Sequence, residues 1–158
     1  MYSCVAGFVE LGESAENAAV RECYEETRVR CGPARLVGSQ PWPVGRGGGC
    51  ELMLGCIARA LDEPGAEEVD VNGGGGGGGG ELSEARWFTR TEVASMLERS
   101  AGGGTGAAGS GAGAGTSAGA SASAAAGGAE APPLLCAPTR LAIAHALMRR
   151  WVDGSLTM

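Results

Sequence analysis

A chain of 158 residues with a formal net charge of -6 at pH 7 carries 12 basic residues, every one of them Arg. These arginines form no basic stripe, which excludes recognition of a long polyanion by charge alone, and no apolar run reaches the roughly 18 residues a membrane helix needs. The six cysteines include no C-x-x-C pair, so no zinc site is expected, and without a signal peptide they read as reduced, partly buried thiols of an intracellular protein.

Along the chain, Tyr2 to Val9 is short and apolar and predicts a strand running into a loop. Ser14 then reads as an N-cap, with Glu16 in the first turn and Ala15, Ala18, Ala19, Val20 and Cys23 as an apolar stripe, so a helix is predicted over Ala15 to Thr27. Val29 to Ser39, Glu51 to Leu61 and Glu84 to Phe88 read as strands. Thr91 to Arg99 reads as a short helix and Arg140 to Val152 as a terminal amphipathic one. Trp87 and Trp151 are expected as core anchors, and the single histidine, His145, as a packing residue rather than a catalyst. Two stretches stand apart: the glycine run 73–80, and 101–131, which is almost wholly Gly, Ala, Ser and Thr. Neither can bury enough apolar surface to offset its ordering entropy, so both are expected to be disordered insertions in one domain spanning 1–158, with a folded part of roughly 120 residues.

The predicted first helix carries Glu22, Glu25 and Glu26 at i, i+3 and i+4, three carboxylates on one face. Like charges at that spacing repel. A solvated acidic face is one reading; the other is an oxygen-rich site for a hard divalent cation such as Mg2+ or Mn2+, which relieves the repulsion and carries a phosphate substrate.

The wider spacing is specific. Gly7, Glu13, Arg21-Glu22 and Glu25-Glu26 recur at the intervals of the Nudix box, and the chain resembles that family of hydrolases. Arg28 stands where the box ends in Gly, a left-handed position at which a side chain should cost roughly 1 kcal/mol. Downstream, Ser39-Gln40-Pro41-Trp42-Pro43 looks like the signature of the NADH pyrophosphatase branch. Leu52 to Cys56, Glu81 to Arg90 and Ala142 to His145 resemble further segments of that branch, closest to its eukaryotic, often peroxisomal, members.

The resemblance implies an α+β fold, a Nudix-type α/β/α sandwich incomplete at its amino terminus, where the family carries a zinc ribbon and further strands. It implies metal-dependent hydrolysis of the diphosphate bond of NADH to NMNH and AMP, with the 5′ end of NAD-capped RNA as a related substrate. Mg2+ or Mn2+ would be held by the Ala6 carbonyl and by Glu22, Glu25, Glu26 and Glu81, with Glu22 or Glu25 taking a proton from water and Arg21 orienting the carboxylates. Substrate contacts carry over to Ala6, Gly7, Phe8, Gln40, Pro41, Trp42, Pro43 and Ala142. Two other readings stand beside this one: a non-catalytic Nudix remnant, suggested by the missing amino-terminal wall, and a hydrolase for ADP-ribose or another nucleoside diphosphate derivative. A homodimer, a peroxisomal or cytoplasmic setting and no membrane association complete the expectation.

Overall fold

A computed structural model describes residues 1–43, 45, 48–71, 82–102 and 135–156. The glycine run 73–80, the expected ligand Glu81 and nearly all of 101–131 lie outside the described residues.

Helix α1 spans Ala15–Thr27, as the sequence predicts, because both of its ends are specified locally. The Ser14 side chain accepts from the Asn17 N–H at 3.2 Å and so satisfies one of the first unpaired donors. At the other end Arg28 takes the left-handed conformation (φ 63°), and its N–H donates to the Tyr24 carbonyl at 2.8 Å. The conformation normally reserved for Gly is therefore adopted by Arg, whose guanidinium lies 5.1 Å from the centre of the Tyr24 ring. That cation–π contact offsets part of the backbone cost.

Strands β1 (Arg35–Trp42) and β2 (Glu51–Ile57) pair antiparallel, with an irregularity between Leu36 and Gly38. Both begin or end inside the predicted ranges: the segment before β1 joins the ladder only through the bridge between Cys31 and Ala60, flanked by Gly32 N–H to Arg59 O and Leu61 N–H to Arg30 O, each 2.8 Å. Two predicted strands are corrected. Tyr2 to Val9 and Glu84 to Phe88 take no strand conformation. A strand exists only when a neighbour completes its ladder, and these segments are held otherwise. Tyr2 N–H donates to the Cys136 carbonyl at 3.0 Å, the rings of Tyr2 and Phe88 meet edge to face at 4.8 Å, and the Arg86 guanidinium lies over both, 5.5 and 4.5 Å from their centres.

Helix α2 (Arg90–Gly102) starts one residue before the prediction and runs further, opened by a reciprocal cap. Glu92 accepts from Thr89 N–H and Oγ1–H at 2.7 and 2.8 Å, and Glu92 N–H donates to Thr89 Oγ1 at 3.3 Å. These bonds hold the Glu92 carboxyl below the usual carboxylate range. Helix α3 (Ile143–Val152) begins three residues later than predicted, since the preceding turn is closed by Ala142 N–H to Thr139 O at 3.0 Å. His145 is buried, with Nδ1–H donating to the Pro138 carbonyl at 2.9 Å, a packing role as expected. Trp151 packs on the core as predicted, but Trp87 is 59% exposed, which corrects the expectation of a buried anchor. Its indole N–H finds a partner at the surface, the Glu67 carbonyl at 2.8 Å.

The core is formed where α2 meets α3: Val93, Met96, Leu97 and Ala137, with Phe88, Met148, Trp151 and Val152 around them. The sheet lies between the other layers. A Cβ at Gly55 would meet Ile143 and Leu147 of α3 at 3.1 Å, whereas Cys56 Sγ lies 3.8 Å from the Ala15 carbonyl of α1. Successive strand residues face opposite ways, so α1 and α3 cover opposite faces of the sheet, a small version of the α/β/α order.

Two stability outcomes are expected from denaturant unfolding. Leu97→Ala, at a site 1% exposed, should lose about 2–5 kcal/mol. Arg28→Gly should be more stable than Arg28→Ala by about 1 kcal/mol, because both lose the ring contact and only Ala keeps the left-handed strain; equal stabilities would show that the helix end carries no such strain.

Candidate active site

The turn before α1 and the first half of that helix are tied together by one side chain. Gly12 (φ 89°) turns the chain so that Glu13 points back, and Glu13 Oε1 accepts from the Glu10 N–H at 2.8 Å. Arg21 then grips Glu13 through two bonds, Nε to Oε2 at 3.2 Å and Nη2 to Oε1 at 2.7 Å. The same guanidinium donates through Nη1 to Glu22 Oε1 at 3.1 Å and to Glu25 Oε2 at 2.9 Å, and through Nη2 to the Phe8 carbonyl at 2.9 Å. A planar group with five N–H donors is suited to such a hub. The bond to Arg21, followed by the Glu10 N–H, holds the Glu13 carboxyl below its ordinary range, and chiefly the bond to Glu13 raises the Arg21 guanidinium.

Glu22 is fixed from a second direction. Its Oε1 accepts from the Phe8 N–H at 3.0 Å, and a Cβ built on Gly7 would fall 1.9 Å from the Glu22 Cδ. Only Gly allows the backbone to come this close to the carboxylate.

A broad, open cleft runs between the amino-terminal segment, α1, the sheet, the segments 58–69 and 82–90 and the start of α3. Ala6, Gly7, Phe8, Glu22, Gln40, Trp42 and Ala142 line it, so the structure gathers these expected site residues from segments far apart in the chain. Arg21, Glu25, Glu26, Pro41 and Pro43 do not line it: Pro41 and Pro43 face solvent, and Glu25 is more than half exposed on the next turn of α1. Gln40 is oriented by its Nε2 donating to the Leu141 carbonyl at 2.5 Å, while its Oε1 is buried and accepts no hydrogen bond from the described residues. Oxygen atoms of Glu22, Glu25, Glu26 and the Ala6 carbonyl are donors of the type that fits a hard divalent cation. Among the described residues, however, no three metal-ligating side chains gather at one point, and Arg21 holds one oxygen of Glu22 and one of Glu25. The sequence reading missed Glu13 and the Phe8 backbone as partners of this cluster; the spacing of eight between Glu13 and Arg21 brings them together only once Gly12 has turned the chain.

By sequence, residues 2–104 match the NUDIX domain family. The chain is 38% identical over 103 residues to the NAD-capped RNA hydrolase NPY1 of Saccharomyces cerevisiae, covering 65% of this chain and 24% of that protein. It is 35% identical over 162 residues to Nudix hydrolase 19, chloroplastic, of Arabidopsis thaliana, covering 97% of this chain and 34% of that protein. It is 33% identical over 153 residues to the mitochondrial NAD(P)H pyrophosphatase NUDT13 of Mus musculus, covering 97% and 34% respectively. The chain thus spans about a quarter to a third of the length of these relatives. With the Gly7, Glu22 and Arg21 constellation in place and the family model matching most of its length, the chain belongs to the Nudix family.

Proposed function

We propose that this chain hydrolyses the diphosphate bond of NADH and related NAD dinucleotides, including the 5′ NAD cap of RNA, to give NMNH, or the matching nicotinamide product, and AMP. The observation that carries the reading is the seat of Glu22. Its carboxylate rests against Gly7, bonded to Phe8 N–H and Arg21, on the wall of a cleft whose other sides hold Gln40, Trp42 and Ala142. The names of the yeast and mouse relatives support the substrate class, and the names of the chloroplastic and mitochondrial relatives support an intracellular setting.

In this reading Phe8 and Trp42 offer aromatic faces to the substrate's rings, and Gln40 Oε1 accepts a hydrogen bond from a donor such as the nicotinamide amide. Glu22, Glu25 and Glu26, with the Ala6 carbonyl and Glu81, would hold Mg2+ or Mn2+, which when bound supplies the positive charge that neutralises the diphosphate and acidifies water. Glu22, which lines the cleft, or Glu25, the most exposed carboxylate of Arg21's cluster, takes the proton of the attacking water on a carboxylate oxygen. Arg21 is a positioning residue. It keeps Glu22 and Glu25 at fixed separation and offsets their mutual repulsion.

The test is chromatographic detection of AMP and NMNH from NADH with Mg2+ or Mn2+. The parent chain should form both products, chelation should abolish them, and Glu26→Gln should lose about a hundredfold or more. No products from a chain shown to be folded by circular dichroism would sink the reading in favour of a non-catalytic member. Gly7→Ala should lower kcat by about a hundredfold with a near-parental melting temperature, since the added methyl displaces the Glu22 carboxylate rather than a core group. A parental rate in that variant would show that the seat of Glu22 is unimportant.

A further inference from the structure

The cysteines are unused by this reaction, yet two of them are brought together. Cys23 lies on the last turns of α1, and Cys31 follows the left-handed turn at Arg28 that folds the chain back along the helix. Their sulphurs are 3.7 Å apart. Both ends are anchored: Thr27 Oγ1–H donates to the Cys23 carbonyl at 2.6 Å, and Cys31 sits in the bridge to Ala60 between two backbone bonds of 2.8 Å. Both residues are half-buried, whereas Cys4 and Cys50 are exposed.

We propose that Cys23 and Cys31 are a redox modification site, closing to a reversible intramolecular disulfide when the protein meets a peroxide. The sulphurs need to approach by only about 1.7 Å to reach the bond length of about 2.05 Å, a shift within the reach of two side-chain rotations. Cys23 sulphur attacks one peroxide oxygen; the O–O bond breaks, and Cys23 sulfenic acid and water result. Cys31 sulphur then attacks the Cys23 sulphur, the S–O bond breaks, and the departing hydroxide leaves as water with the Cys31 proton. Two thiols give up two electrons and two protons, and one hydrogen peroxide becomes two waters. Burial first, and then the neighbouring Cys23 thiol, push Cys31 up to about 12, so its attack on the Cys23 sulphur rests on the 3.7 Å approach and not on thiolate character. The bond would staple the end of the helix that carries Glu22, Glu25 and Glu26 to the segment leading into the sheet.

The site is tested by treating the chain with hydrogen peroxide, blocking remaining thiols and digesting with trypsin without reductant. The expected product is the peptide 22–28 joined to 31–35, two hydrogens lighter than the free pair and released by dithiothreitol. In Cys31→Ser the linked peptide should vanish and a sulfenic acid on 22–28 should be trapped by dimedone. Amide exchange over 24–30 in the oxidised parent should slow at least tenfold. Links only through Cys4 or Cys50, sulfinic acid in place of the linked pair, or unmodified 22–28 and 31–35 would each overturn the proposal. The readout is mass and exchange, so it stands or falls independently of NADH hydrolysis.

Discussion

One guanidinium organises the amino-terminal half of this protein. Arg21 donates to Glu13, Glu22, Glu25 and the Phe8 carbonyl, and so binds the turn before α1, the helix itself and the segment that passes over it. Exposed ion pairs contribute little stability, about 0–1 kcal/mol each, and Arg21 is a quarter exposed. Its importance lies in position. Glu22 and Glu25 stand about one turn apart, and a shared counter-charge of fixed planar geometry offsets their repulsion while holding their side chains in place. The seat of Glu22 on Gly7 follows from the same arrangement, since Arg21 draws the Phe8 carbonyl towards the helix and leaves the Phe8 N–H facing the carboxylate.

Helix α1 is also the joint between the acidic cluster and the rest of the fold. Its buried side, at Ala18 and Thr27, turns inward, and Thr27 accepts at its carbonyl from the Asp70 N–H at 2.9 Å. The left-handed turn at Arg28 sends the chain back past Cys23 and into the sheet. One local backbone state thus decides both where the acidic helix stops and which thiols meet. Elsewhere the burial is concentrated between α2 and α3, so the dry core and the polar cluster occupy different parts of the molecule and are joined through β1 and β2. Arg150 strengthens that link by donating to the Val37 carbonyl at 3.0 Å, and Gln40 does so by donating to Leu141.

The first helix was legible to the residue because its determinants are local: a capping Ser14, an apolar stripe and a terminal position that demands a left-handed backbone. The grouping of Glu22, Glu25 and Glu26 on one helix follows from the 3.6-residue period in the same way. The strands expected at Tyr2 to Val9 and Glu84 to Phe88 failed for the complementary reason, since alternation of side chains does not supply a ladder partner, and Arg86 stacks on Tyr2 and Phe88 instead. Trp87 was misjudged because size argues for burial only where a core is within reach, and α2 directs Phe88 rather than Trp87 to it.

What the amino-acid order determined by itself is the family, the acidic helix and the residue types of the candidate site, all of which depend on neighbours within a few positions. The tertiary structure decided the rest. The double grip of Arg21 on Glu13 needs the turn at Gly12, the close approach of Gly7 to Glu22 needs a strandless segment laid across α1, and the cleft shared by Phe8, Gln40, Trp42 and Ala142 needs three distant parts of the chain in contact. Such contacts depend on loop closure and packing between elements, which local periodicity and propensity do not encode.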